Sequence, residues 1–200
     1  MGDLYLIASD MASYPEGKEK ESIKESIAAI KKNIEYINKI IQDLQDYAKS
    51  HKPNMQEVNL EEIFQRLFTE TDFPENVEAK YCVEEEAKEI VADPALVERI
   101  IRNLVINAIQ AMPEGGKLEI QSRRENGEVI LTVEDSGVGI PADCRDKLFT
   151  PLFTTKSKGQ GFGLAVVKRV AEALDGTVTF ETEEGKGSKF IVRLPIVKNT

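Results

Sequence analysis

Between about residue 19 and residue 50 the chain sets Ile23, Ile27, Ile30, Ile34, Ile37, Ile41 and Leu44 at alternating spacings of four and three. That period is the a/d heptad of one long helix, with Lys, Glu, Asn and Asp filling the positions between. A single helix cannot bury so narrow an apolar seam, so the segment demands partner helices. The expected partner in the same chain is the segment 4–11, followed by the turn-like stretch 13–17, which gives a helical hairpin. Two hairpins from two chains would close a four-helix bundle, a homodimer joined along Ile23 to Leu44. The competing outcome is a solvent-facing helix packed on its own globular domain.

The rest of the chain reads as mixed structure. His51-Lys52-Pro53-Asn54 ends the long helix as a linker, so the expected division is 1–52 for the partial dimerisation hairpin and 53–200 for a globular domain. Asn59, with Glu62 three positions on, resembles a capping box opening a helix over 60–69. Strands are expected at 77–83 and 88–91. Asp93 and Pro94 provide the cap and first turn of a helix over 94–112 that carries Leu96, Ile100, Leu104, Ile106, Ala108 and Met112. Alternation over 117–124 and 128–134 around Glu125-Asn126-Gly127 marks a hairpin. The stretch 139–163 is rich in Gly, Thr and Lys and short of regular pattern, as a mobile lid would be. A helix over 164–174 and a last hairpin of 177–182 with 188–194 complete the chain.

Composition narrows the function classes. Two hundred residues with 41% hydrophobic content can bury a real core. A net charge of -9 argues against a nucleic-acid-binding surface, which needs clustered Lys and Arg. Cys82 and Cys144 match no metal spacing and no CxxC pair, so two reduced structural thiols are expected. No apolar run approaches the ~20 residues of a membrane span and no signal peptide is visible. A cytoplasmic chain is expected, meeting a membrane only through parts it does not itself contain.

Four short segments carry the chemistry. Asn103 and Asn107 lie one turn apart on one helix face. A lone Asn on a helix is ordinarily just exposed, but these two fall inside an apolar run, which disfavours idle exposure. Asp135 ends a strand and opens the loop Asp135-Ser136-Gly137-Val138-Gly139, which by itself could be a common turn. Gly137 to Ala142 also fits the Gly-x-Gly-x-x-Ala dinucleotide fingerprint. That reading needs a helix, a second parallel strand and an acidic residue about 20 positions on, and the chain supplies Phe149 to Lys156 and more glycines there instead. Gly159, Gly161 and Gly163 precede a helix whose first N–H groups could bind phosphate. Lys156 and Lys158 could reach phosphate oxygens or be solvated lid charges.

Taken in order, the segments at 103–108, 135–139, 149–156 and 159–164 resemble the N, G1, F and G2 boxes of sensor histidine kinases. The wider ATPase superfamily that shares them includes gyrase and mismatch-repair ATPases. The resemblance covers the last two-thirds of the chain closely and the preceding helix by pattern. It implies an α+β fold, a two-layer α/β sandwich of Bergerat type with helices on one face of a mixed sheet, preceded by the long helix of the hairpin. Residues 53–200 would then be an ATP-binding catalytic domain with ATP and Mg²⁺ as ligands. Asn107 would coordinate magnesium, which takes oxygen ligands and keeps several waters. Asp135 would accept a hydrogen bond from the exocyclic amine of adenine and so select ATP over GTP. Gly137, Gly139 and Ile140 would lie against base and sugar. Phe149, Phe153, Thr154, Thr155 and Lys156 would form the lid, and Gly159, Gly161, Phe162, Gly163 and Leu164 would cradle the phosphates. Phe162 stands where the family usually has Leu, Gln110 where members have Lys or Gln, and Ser188 where relatives have Thr or Ser. Asn103 occupies the position of the glutamate that activates water in the hydrolytic relatives. An amide cannot act as a general base, so transfer to another acceptor is favoured over hydrolysis.

The implied function is the ATP-binding catalytic part of a two-component sensor kinase, passing the γ-phosphate to a histidine and on to an aspartate of a response regulator receiver domain. In that family the acceptor histidine precedes Glu or Asp. The first helix here, 3–13, holds no histidine. His51 sits beside Lys52 and Pro53 with no acidic neighbour before Asp46, as a linker residue would. The chain is therefore expected to hold ATP without accepting its phosphate, and Lys156 is the one candidate for a catalytic role. A serine kinase of the anti-sigma type, which needs no bundle, and a nucleotide-binding dimer module without catalysis are the alternatives.

Overall fold

The heptad is realised as one unbroken helix, α1, Lys18–Ala48. Along its seam Ile23, Ile30, Ile37, Ile41 and Leu44 are between 42% and 53% exposed, whereas Ile27 and Ile34 are half-buried. The computed structural model describes residues 17–48, 52–154 and 161–196. The expected partner helix at 4–11 and the linker histidine His51 lie outside the described residues. The chain divides into two compact units, 1–46 and 47–200.

The second unit is built on a five-stranded sheet. In chain order it contains β1 (Gln56–Asn59), α2 (Leu60–Glu70), β2 (Val77–Val83), β3 (Glu89–Ala92) and α3 (Pro94–Ala111). There follow β4 (Gly116–Glu125), β5 (Glu128–Asp135), α4 (Gly163–Ala173), β6 (Thr177–Glu183) and β7 (Gly187–Pro195). The sheet order is β2-β4-β5-β7-β6, with β2 parallel to β4 and the other pairs antiparallel. The parallel pair requires a crossover, and α3 lies within it. Asn126 at φ 50° and Gly127 at φ 83° make the two-residue turn between β4 and β5, both central residues left-handed as such hairpins require.

Period-two alternation aims Leu118 and Ile120 of β4, Leu131 and Val133 of β5, and Val192 and Leu194 of β7 into one core. Ile63, Phe64 and Leu67 of α2, Ile100, Ile101 and Leu104 of α3, and Val167 and Val170 of α4 meet them there. The helices thus supply the second layer of the expected α+β sandwich. Ile100 is 0% exposed and Leu104 1%, and each fully buried side chain of this size contributes on the order of 2 kcal/mol.

Several local expectations need correction. A strand, β1, pairs antiparallel with β3 as a separate two-stranded sheet; its four residues are too few for alternation to reveal it. Asn59 does cap α2, accepting from the N–H groups of Glu61 and Glu62. Its amide turns to the Glu89 carboxylate at 3.1 Å, so the cap is tied to β3 rather than closed by Glu62 as a capping box. Ile106, one of the apolar residues named on this helix, is 37% exposed. Both cysteines are free, but Cys82 is exposed on edge strand β2 and is no buried structural thiol. The segment expected to be irregular holds a short 3₁₀ helix, Ala142–Lys147.

Candidate functional site

Helix α3 buries one stripe, Val97, Ile100, Ile101, Leu104, Val105 and Ala108, which rotates Asn103 and Asn107 to its flank. Both are half-buried, whereas Gln110, one turn on, is exposed. The Asn103 amide donates back to the Arg99 carbonyl at 2.9 Å, which fixes its rotamer within the helix. Helix α4 begins directly opposite. A methyl group added to Gly163 would stand 3.4 Å from both Asn103 Oδ1 and Asn107 Nδ2. The start of α4 thus lies within van der Waals reach of the two amides. Phe162, buried at the N-cap, supplies no side-chain cap, and the first helical bond runs from Val166 N–H to its carbonyl at 2.8 Å. The N–H groups of the first turn therefore have no intrahelical acceptor. Leu164, the next residue, is half-buried against the core.

The second wall starts at the end of β5. Asp135 is 6% exposed and accepts from the Gly137 N–H at 2.9 Å, so its carboxylate closes the glycine loop on itself. A Cβ on Gly137 would run into the Ala111 carbonyl. The same carbonyl accepts from Val138 N–H at 2.9 Å, and Val138 accepts in turn from Gly185 N–H at 2.8 Å. Gly139, at φ 67°, lies against the Glu183 carbonyl, a conformation and a closeness that a side chain would forbid. Ile140 packs on the core, and Arg145 Nε donates to its carbonyl at 3.2 Å. The loop is thereby clamped between the end of α3 and the β6–β7 hairpin.

The third wall is the segment after the 3₁₀ helix. Phe149 packs on Phe180 of β6 with ring centroids 6.0 Å apart, and Phe180 meets Phe190 of β7 at the same separation. This anchors the segment to the sheet. Phe153 is half-buried and Thr154 exposed. Gly161 at φ 71° sits on the Leu152–Phe153 backbone, so the two segments meet. Leu152 is itself at φ 66° and 67% exposed, an uncommon conformation for a branched residue. Thr155, Lys156, Lys158 and Gly159 lie outside the described residues. At Cys144, partial burial and then the bond to Asp143 raise the thiol pKa.

Ser188 and one residue that the sequence pattern did not single out complete the site. The ladders place Leu118, Asp135, Ser188 and Thr182 in one row across β4, β5, β7 and β6. Thr182 Oγ1 accepts from Ile140 N–H at 3.0 Å and lies 3.0 Å from the Gly187 carbonyl and 2.9 Å from Ser188 Oγ. Alternation along β6, which puts Val178, Phe180 and Thr182 on one face, was the available signal.

The chain is similar in sequence and fold to known proteins. Residues 92–198 match the family described as histidine kinase-, DNA gyrase B-, and HSP90-like ATPase. Among curated proteins, the sensor histidine kinase ZraS of Escherichia coli strain K12 is 32% identical over 185 residues, covering 91% of this chain and 39% of ZraS. The chain therefore spans about two-fifths of the length of that relative. Among solved structures, the catalytic domain of the histidine kinase ThkA, in a nucleotide-free form, is similar with a TM-score of 0.64 at 31% identity, covering 72% of this chain and 96% of that one. The ThkA structure in complex with the response regulator protein TrrA is similar with a TM-score of 0.73 at 25% identity, covering 97% of this chain and 57% of that one.

Proposed function

The chain belongs to the histidine kinase-, DNA gyrase B-, and HSP90-like ATPase family, and from that premise we propose that it is the ATP-binding catalytic part of a two-component sensor histidine kinase. The apposition of Gly163 with the amides of Asn103 and Asn107 carries this reading. It joins a helix start bare of side chains, suited to polyphosphate, to a flank of α3 bearing amide oxygens. Asp135, buried at the far wall, is the acceptor for the adenine amine, and Gly137 and Gly139 keep side chains off the base and sugar. Gly161, Phe162, Gly163 and Leu164 hold the phosphates. A Cβ at Gly137, Gly139 or Gly161 would strike neighbouring backbone, so these glycines let the loops around the proposed site pack closely.

Among the described residues no group of three or more His, Cys, Asp or Glu side chains could hold a metal. Asn107 would offer a magnesium ion one amide oxygen, with phosphates and water making up the rest of the shell, and the ion would supply charge neutralisation at the phosphates. Asn103 offers no base to activate water, so the chemistry favours phosphoryl transfer to a histidine over hydrolysis. That histidine passes the group to an aspartate of a response regulator receiver domain.

In this reading residues 53–200 form the catalytic domain and 1–52 part of a dimerisation hairpin, whose exposed isoleucine seam packs on a second copy. The protein works in the cytoplasm; no helix among the described residues is long and apolar enough to cross a membrane. Calorimetric titration with ATP, GTP and a nonhydrolysable ATP analogue, with and without Mg²⁺, tests the proposal. Saturable, Mg²⁺-dependent ATP binding with little GTP binding is expected. A chain that binds neither ATP nor the analogue contradicts it.

A further inference from the structure

Thr182 is bonded more densely than its place near the end of an edge strand requires. It shares the helix-facing side of the sheet with Ser188 and Asp135, and the neighbouring row, Ile120, Val133, Phe190 and Phe180, is wholly apolar. The three polar side chains therefore form a short polar margin on an otherwise hydrophobic layer. A threonine hydroxyl has one hydrogen and two lone pairs. Around Thr182 Oγ1 stand one fixed donor, Ile140 N–H at 3.0 Å, one fixed acceptor, the Gly187 carbonyl at 3.0 Å, and the Ser188 hydroxyl at 2.9 Å, which can play either part. One arrangement satisfies all of them. Thr182 donates to Gly187, accepts from Ile140, and takes the hydrogen of Ser188 on its remaining lone pair.

That arrangement uses the only hydrogen Ser188 has. Its oxygen then presents lone pairs alone, directly across the β5–β7 ladder from the Asp135 carboxylate, which also only accepts. The geometry points to Thr182 as a positioning residue for base selectivity: it holds the Ile140 end of the glycine loop in place and turns Ser188 into an acceptor, so this margin of the site welcomes an exocyclic amine and repels a carbonyl. Adenine offers such an amine and guanine a carbonyl at the same position. This inference rests on the ATP-site reading above. Thr182 need not touch the nucleotide, since it acts through Ser188 and Ile140.

The test uses the whole chain, with calorimetric Kd values for Mg²⁺-ATP and Mg²⁺-GTP alongside thermal melts. Thr182→Val keeps the shape and removes the hydroxyl. It should weaken ATP binding about tenfold or more, the scale of one buried polar group left without its partner, and should narrow the ATP-to-GTP preference. Thr182→Ser should restore both. Ser188→Ala, which leaves the Ile140 and Gly187 bonds in place, should narrow the preference without a comparable change in melting, and it serves as the second readout if Thr182→Val does not fold. A Thr182→Val chain that melts lower but keeps its ATP-to-GTP ratio would show a merely structural role and overturn the inference, as would an unchanged ratio in Ser188→Ala. Failure of the unmodified chain to bind ATP is a separate outcome and overturns the underlying site assignment instead.

Discussion

One oxygen of the Asp93 carboxylate caps helix α3 while the other holds the backbone N–H of Asn54. Oδ1 accepts from Ala95 and Leu96 N–H at 3.0 and 3.2 Å, and Oδ2 accepts from Asn54 N–H at 2.9 Å. The helix that carries Asn103 and Asn107 is thus fastened at its start to Asn54, the last residue of the expected linker.

Asp93→Ala should lower stability by about 1 kcal/mol for the lost cap alone, which for a unit of this size is a fall in melting temperature of roughly 2–4 °C. Asp93→Ser separates the two roles, because serine can cap with its single oxygen but cannot also reach Asn54. A melt for Asp93→Ser close to wild type assigns the stabilisation to the cap. A melt as low as that of Asp93→Ala assigns it to the tether.

Long, strongly patterned elements were legible in the sequence. The isoleucine heptad became α1 in one piece, and Asp93-Pro94 marked the start of α3 because cap and first-turn chemistry act within a few residues. The alternation in β4, β5 and β7 gave both the strands and their buried face. Strand β1 was not legible, because four residues cannot display a period and its pairing with β3 is set by tertiary context. The exposure of Ile106 was hidden for a related reason: periodicity says which side chains share a face, not where the neighbouring elements stop. Asn103, Asn107, Asp135 and the glycines could be singled out as candidates because each is an unusual residue for its surroundings. Thr182 could not, since a threonine in a strand is ordinary, and only the register with Ser188 brings it to the site.

Asp135→Asn should weaken ATP binding by about one to two orders of magnitude. An amide oxygen can still accept from Gly137 N–H, so the loop keeps its closure. The amide hydrogens, however, face the adenine amine with a second donor. Calorimetry against wild type checks this, and an unchanged Kd removes Asp135 from the base site.

Asn107→Ala should leave a folded chain whose ATP affinity no longer responds to Mg²⁺. The residue is half-buried on the flank of α3 rather than in its buried stripe, so the melt should move little. Titrations with Mg²⁺ and with EDTA decide the matter: a wild-type Mg²⁺ response in the variant takes the metal away from Asn107.

Gly187→Ala should damage the site more than Gly185→Ala in the same hairpin. Gly187 sits at φ 114°, and a Cβ would run into the Asp135 carbonyl. Gly185, at φ 80°, has open space around it. Both substitutions carry backbone strain, on the order of 1–2 kcal/mol, but only Gly187→Ala should also shift β7 away from β5 beside Asp135. Equal ATP affinities and equal melts for the two variants would contradict this placement.

Replacing Ile30 and Ile37 together by Asp should convert a dimer to a monomer. The two side chains are 47% and 53% exposed in the chain, so the substitution costs the monomer little, whereas burying carboxylates in a helix seam costs several kcal/mol. Sedimentation should show the smaller species, and ATP binding should survive, because among the described residues the buried core is built from residues 58–194. An oligomeric state that does not change would remove the seam from the dimer contact.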